Sequence, residues 1–402
     1  MARTGIRFRP PRFLGSPEID WALLRAFGAA DPVALEGLDQ EATCEVARRL
    51  LLQPRIRSRI PRELLEAEIG SQAVAAFDRE TVLQAGMLVQ HEQACRDLAS
   101  LAQGMSVPLI LLKGMALHFH GVISPGGRRI ADIDVLVPRE SSERFHRALI
   151  ESGCEPSGIR APDHHLSVLR HSLGSAIEVH HEIDGVRLDE DGYATAGQCF
   201  DIGLVVRSEG METGVYLPSR PLLVAHLLAH GLSHHGKAPD SYPALQMLAD
   251  LQDVTSDPIE ETPVPDEALD WIALDVSRDE AEATMALVRD LSRGVRASDL
   301  LRGEDSTAVL LRHLLAGSLS EEYRRALRLS RRLDPPGGQG RMMGVTRTAW
   351  QAVWLSRTQV EMLYGKPRTK LGYLGWRLWR PFDVAGRTVQ SAVAWLRLRR
   401  DR

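Results

Sequence analysis

The chain has 402 residues, 44% of them hydrophobic and 25% charged, and a formal net charge of −4. That length suits two or three packed subdomains rather than one small core, and the composition is that of an ordinary globular protein. The slight negative charge argues against a protein built mainly to coat nucleic acid. Four scattered cysteines (Cys44, Cys95, Cys154 and Cys199) form neither a CxxC pair nor a zinc-like spacing. They point to a reducing compartment and to buried, inert thiols.

The opening MARTGIRFRPPRF is basic but lacks the apolar centre of a signal peptide. No stretch approaches 18 uninterrupted apolar residues, so no membrane-crossing helix is expected and a cytoplasmic location is. Residues 1–16 read as a flexible arm. Residues 17–104 form a helical segment, with apolar residues at three- and four-residue spacing in DWALLRAFGAA, CEVARRLLLQ and TVLQAGMLVQHEQACRDLASLAQ. Gly104 is a plausible stop for the last of these helices.

A different texture begins at VPLILLKG (107–114), an apolar strand closed by Lys-Gly. GMALHFHG follows as a short helix and SPGGRR as a loop. IADIDVLVP alternates acid with Ile and Val and ends at proline, which is a strand signature. Residues 139–152 read as a helix stopped by Gly153, and HLSVLRH (165–171) and SAIEVHHEI (175–183) as two further strands. The expected class is therefore α+β, with a small mixed-sheet core at 105–210 between helical segments. The helical domain 211–333 contains RPLLVAHLLAHGLSHH and YPALQMLADLQDV. It also holds an acidic stretch, 252–282, with eleven Asp/Glu against one Arg. After the break at DPPGGQG, residues 341–402 form a basic, Trp-rich helical segment with thirteen Lys/Arg against three Asp/Glu. Its Trp350, Trp354, Trp376, Trp379 and Trp395 first suggest a helix docked by its tryptophans, with the arginines solvated or paired to the acidic stretch. Peripheral contact with an anionic membrane is the second reading, and nucleic acid the third.

The chemistry concentrates at Asp132 and Asp134. Two acids at i and i+2 on one strand face the same way and can share divalent ions. Oxygen ligands of this kind suit Mg²⁺, with Mn²⁺ as the alternative. Glu178, in the alternating Ala-Ile-Glu-Val-His run, is the best third acid if strand 175–183 lies beside strand 130–137. Lys113-Gly114, where a strand yields to a helix, could hold phosphates, and Arg128 or Arg129 just upstream of the acids could join it. His180 shares the face of Glu178 and is a candidate contact to phosphate or acceptor. Downstream, His226, His230 and His234 recur at four-residue spacing. They could line the same cleft, with His230 nearest the substrate, simply pack, or bind zinc with His234 or His235 as third ligand. No HExxH glutamate stands between the first two, which excludes the usual metalloprotease arrangement.

The run LLKGMALHFHG…RRIADIDVLV, followed by AIEVHHEI, resembles the bacterial uncharacterised nucleotidyltransferase family, a divergent branch of the DNA polymerase β-like nucleotidyltransferase superfamily. The likeness covers roughly residues 80–255. In that family a Lys-Gly opens the first helix, an Arg stands four residues before Asp-x-Asp, and a Glu-Val-His strand follows. Lys113-Gly114, Arg128, Asp132, Asp134, Glu178 and His180 fall on these positions, and HLLAHGLSHH looks like the family's histidine-bearing helix. Two departures stand out. The superfamily at large has Gly-Gly or Gly-Ser where this chain has Lys-Gly, and related members often carry Trp where His181 stands.

The resemblance implies a minimal nucleotidyltransferase core that transfers a nucleoside monophosphate from an NTP, with ATP the expected co-substrate, and releases pyrophosphate. Asp132, Asp134 and Glu178 would be the catalytic and metal-holding acids, and Lys113, Gly114 and Arg128 would hold the phosphates. The acceptor is open among small molecule, peptide and protein, and nucleic acid is not the expected partner. The alternatives are another phosphoryl transfer on the same metal site and an inactive scaffold or accessory protein in a biosynthetic pathway.

Overall fold

The computed structural model describes residues 12–28, 37–157, 164–190, 192–211, 214–235, 244–256, 266–272, 278–326 and 370–400. Most of the expected arm, most of the acidic loop, the break at 334–340, and Trp350 and Trp354 lie outside them.

Five helices come first: α1 (Pro17–Phe27), α2 (Gln40–Arg49), α3 (Gln53–Arg59), α4 (Arg62–Ile69) and α5 (Ser71–Gly104). The 34-residue α5 buries Val74, Phe77, Gln84, Leu88, His91, Cys95, Leu98 and Ala102, a stripe at three- and four-residue spacing (one step of seven) that lays it along the core. Arg25 is fully buried and bonds Glu68 through Nε (2.9 Å) and Nη2, which ties α1 to α4.

The α/β core follows as β1 (Leu109–Leu111), α6 (Lys113–Phe119), β2 (Asp132–Leu136), α7 (Arg139–Glu151), β3 (Glu155–Pro156), β4 (Leu169–Arg170), β5 (Ala176–His180), α8 (Ala196–Asp201), β6 (Val205–Arg207) and β7 (Val215–Pro218). These strands make one mixed sheet in the order β3-β4-β5-β2-β1-β7-β6. The sheet draws β7 from beyond residue 210, so it reaches past the expected core boundary. β2 lies in the middle, antiparallel to β1 and parallel to β5, with Asp132 opposite Ala176, Asp134 opposite Glu178 and Leu136 opposite His180. Of the expected strand 165–171, only Leu169–Arg170 pairs as a strand, plus a single bridge from His165 to His180.

The remaining helices are α9 (Arg220–Ala229), α10 (Ala244–Thr255), α11 (Asp266–Asp270), α12 (Arg278–Ser292), α13 (Ala297–Leu300), α14 (Ser306–Leu319) and α15 (Lys370–Arg400). The expected long helix 220–235 is interrupted. After Ala229 the turn widens to a π-helix over His230–His235. A Cβ on Gly231 would collide with the Met247 side chain, so glycine there lets this turn press against α10.

The large core joins the N-terminal helices, one sheet face (Ile133, Val135, Ile177, Val179) and the C-terminal helices. A smaller core on the opposite face joins Ile110, Leu136, Ile183, Leu222, Ala225 and Ala229. Three of the four cysteines are buried, and burial pushes the Cys199 thiol up to about 12. No described helix is long and apolar enough to cross a membrane.

The expected docking of the C-terminal segment through its tryptophans does not hold for Trp379, which is 57% exposed beside Leu378 and Phe382. Ala394 of α15 is buried, and Arg325 bonds Gln390 at 3.0 Å. Arg380 and Arg387 both pair with Asp383 of the same helix.

Candidate active site

Strand alternation puts Asp132, Asp134 and Leu136 of β2 on one face with Ala176, Glu178 and His180 of β5. Parallel pairing makes Asp134 and Glu178 direct neighbours, as the expected adjacency of the two strands requires. Asp134 is 2% exposed, and a carboxylate that deep must have its charge answered locally. Lys113 Nζ donates to its Oδ1 at 2.7 Å, and His180 Nε2 donates to the same oxygen at 2.9 Å. His180 Nε2 also lies 3.5 Å from Glu178 Oε2, and His165 Nε2 lies 3.8 Å from that oxygen.

Lys113 reaches Asp134 because of its backbone. Its φ of +46° is a left-handed conformation that a non-glycine residue adopts at a cost of order 1–3 kcal/mol. Leu112 N–H donates to the Asp134 carbonyl at 2.9 Å, so the end of β1 is fastened to β2 where the chain turns into α6. Gly114 is required next. A Cβ there would stand 2.6 Å from Arg128 Nη1 and 3.2 Å from the Ile130 side chain. Arg128 itself makes a two-pronged pair with buried Asp250 of α10, at 2.7 and 2.8 Å from Nε and Nη2. Arg128 thereby locks the loop before β2 to α10 and to the start of α6.

The electrostatics divide the two aspartates. Burial opposes ionisation of Asp134, but Lys113 and the His180 hydrogen bond outweigh it and hold its pKa well below the ordinary value. Burial and the charge of Asp134 push Asp132 up to about 7. For Lys113, burial is outweighed by Asp134, Asp132 and Glu178, and its pKa is raised. For His180, burial is outweighed by its bonds to Asp134 and Glu178, and its pKa is raised too. The positive charge beside Asp132 is thus too little to hold its carboxyl fully ionised near neutrality. An incoming cation would supply the difference, so the residues fit a divalent ion.

Histidines crowd the same face. The rings of His164, His165 and His180 lie with centroids 5.0–5.5 Å apart, and His164 stacks on His180 at an interplanar angle of 21°. Asp184 Oδ2 is 3.7 Å from His164 Nδ1. On α9, His226 follows Leu222 and Ala225 on the helix face that packs on the sheet. It is 2% exposed, and its buried Nδ1 has no hydrogen-bond partner. Burial, followed by the charge of Lys113, keeps His226 neutral, far below its ordinary pKa. His230 is half-buried at the head of the π-turn, its ring 6.1 Å from that of His226. The side chains of His234 and His235 are outside the described residues.

The structure therefore gathers Lys113, Gly114, Arg128, Asp132, Asp134, Glu178 and His180 around the middle of the sheet. His164, His165, Asp184 and Asp250 were not singled out from sequence. The doublet in DHHLSV was a signal for the first two. Asp250 announced itself only as one of two carboxylates in α10, with Leu248, Ala249 and Leu251 around it. No curated protein and no solved structure matches the chain. Residues 36–271, more than half of its length, match the family described as uncharacterised nucleotidyltransferase, and the chain belongs to that family.

Proposed function

We propose that the protein is a metal-dependent nucleotidyltransferase that moves a nucleoside monophosphate from an NTP, with ATP the expected donor, to the hydroxyl or phosphate of an acceptor and releases pyrophosphate. The observation that carries this reading is the shared face of Asp132, Asp134 and Glu178, with Asp134 held ionised by Lys113 and His180. Family membership supports the transfer chemistry in general.

In this reading Asp134, Glu178 and Asp132 hold Mg²⁺ or Mn²⁺. A divalent ion there supplies Lewis-acid stabilisation of the phosphate oxygens. Asp132, with its pKa near 7, gives up a proton when a cation arrives. Lys113 answers the charge of Asp134 and stands ready to meet phosphate. Arg128, gripped by Asp250, positions the Gly114 turn rather than reaching outward through all of its nitrogens. His230 remains the histidine proposed to lie nearest the substrate.

Parallel incubations with α- and γ-labelled NTPs, a divalent ion, and fractions of small molecules, peptides and proteins test this. The α label should pass to an acceptor while the γ label leaves as pyrophosphate. Transfer of the γ label would instead mean phosphoryl transfer on the same site.

A further inference from the structure

The face proposed to hold the divalent ion offers nitrogen donors as well as carboxylates. The carboxylates of Asp134 and Glu178 and a ring nitrogen of His180 offer donor atoms that all lie within 4.8 Å of one another. Asp132 is not part of that set, although it shares the face of Asp134. Around it the donors become richer in nitrogen. His165 Nε2 is 3.8 Å from Glu178 Oε2, and the rings of His164 and His165 lie 5.0–5.5 Å from that of His180. A second observation comes from the facing helix. His226 is buried with an unpartnered Nδ1 and lies within electrostatic range of Lys113, Asp134, His180 and His164. A buried polar atom left without a partner is destabilising, and a bound ion with its water shell is one way to relieve that.

We infer that His180 is a first-contact ligand of the catalytic cation together with Asp134 and Glu178, and that this mixed nitrogen–oxygen set prefers first-row transition ions, Zn²⁺ most and Mn²⁺ less, over Mg²⁺. The chemistry is that of donor hardness. Mg²⁺ is a hard ion that favours oxygen and dehydrates reluctantly, whereas imidazole suits later first-row ions, whose affinities for a given site rise along the series. The expected all-carboxylate centre of Asp132, Asp134 and Glu178 thus gives way to one centred on Asp134. This deepens the proposed function and rests on it only for the presence of a divalent ion.

The test uses the full chain and Mn²⁺ alone as probe. Electron spin-echo spectra of bound Mn²⁺ should show coupling to a histidine ¹⁴N, which converts to the ¹⁵N pattern when the protein is grown with ¹⁵N-histidine. That comparison needs no variant and so does not depend on a substitution folding. His180→Asn should erase the coupling and weaken Mn²⁺ binding by about tenfold or more. Asp132→Asn should keep the coupling. Titration should find Mn²⁺ bound at least about tenfold more tightly than Mg²⁺. Bound Mn²⁺ without nitrogen coupling, equal affinity for the two ions, or no Mn²⁺ binding would overturn the inference. Nucleotidyl transfer with an all-oxygen Mn²⁺ spectrum would sink the nitrogen ligand and leave the proposed function standing. Nitrogen coupling without any transfer would do the reverse.

Discussion

The two faces of the central strand pair make opposite physical choices. On one, Ile133 and Val135 of β2 meet Ile177 and Val179 of β5, all fully buried against α5 and the other core helices. On the other, Asp132, Asp134, Glu178 and His180 occupy the same stretch of sheet, with Asp134 and His180 as deeply buried as many core residues. The apolar face gains roughly 1.5–3 kcal/mol per large side chain taken from water. The polar face must spend a lysine in a left-handed turn, an arginine–aspartate lock and a crowd of histidines merely to keep its charges satisfied. Buried ion pairs are poor stabilisers compared with apolar packing. A fold that keeps this one keeps it for binding or chemistry.

The comparison predicts that damage to the two faces separates stability from activity. The largest effect belongs to Asp134→Asn. Transfer of the α label should fall on the order of 10³-fold or more, since the ion and the ionised carboxylate are lost together. Far-ultraviolet dichroism should confirm that the fold persists. Ile133→Ala, one residue away on the other face, should lower the unfolding free energy by about 3 kcal/mol in denaturant titrations. Activity per folded molecule should change little. If both substitutions lowered activity equally, the two faces would not be functionally distinct.

Gly114→Ala sharpens the boundary between them. Its Cβ meets Arg128 Nη1, and overpacking of this kind costs about 1–3 kcal/mol. Because the guanidinium is held by Asp250, Gly114→Ala and Arg128→Ala should be non-additive in a double-mutant cycle. Simple additivity would mean that the clash is relieved elsewhere.

The last effect is one of pH. The Asp132 carboxyl is raised from its ordinary value to about 7, so the folded metal-free protein holds a proton there that the unfolded chain has lost. That contribution to stability is present below the unfolded pKa and disappears as pH rises toward 7. Asp134 works in the opposite sense, contributing above the ordinary carboxyl value and losing it as pH falls. Divalent affinity should accordingly rise by up to about tenfold per unit between pH 5 and 7 and level off above. A flat profile would show that no proton leaves on binding.

Much of the site could be read from sequence because its signals are local. The period-two alternation around Asp132 and Asp134 and the closing proline defined β2, and the same alternation defined β5 with Glu178 and His180. Their adjacency was a guess from topology that the parallel register bears out. What escaped was set by contacts distant in sequence. β3, β4, β6 and β7 are two to four residues long and exist only because neighbouring strands offer hydrogen-bond partners. The π-turn at His230–His235 sits where Gly231 meets Met247 on another helix, which no periodicity reveals. Lys113 was expected to face phosphate. That its side chain also bonds Asp134, from a left-handed backbone, could not be read from the Lys-Gly pair.

Whether the polar face binds a nucleotide together with a divalent ion is decided by calorimetric titration with a non-hydrolysable NTP, with and without Mn²⁺. NTP binding should require the ion and be lost in Asp134→Asn. Binding unaffected by both the ion and the substitution, or no binding under any condition, would contradict it.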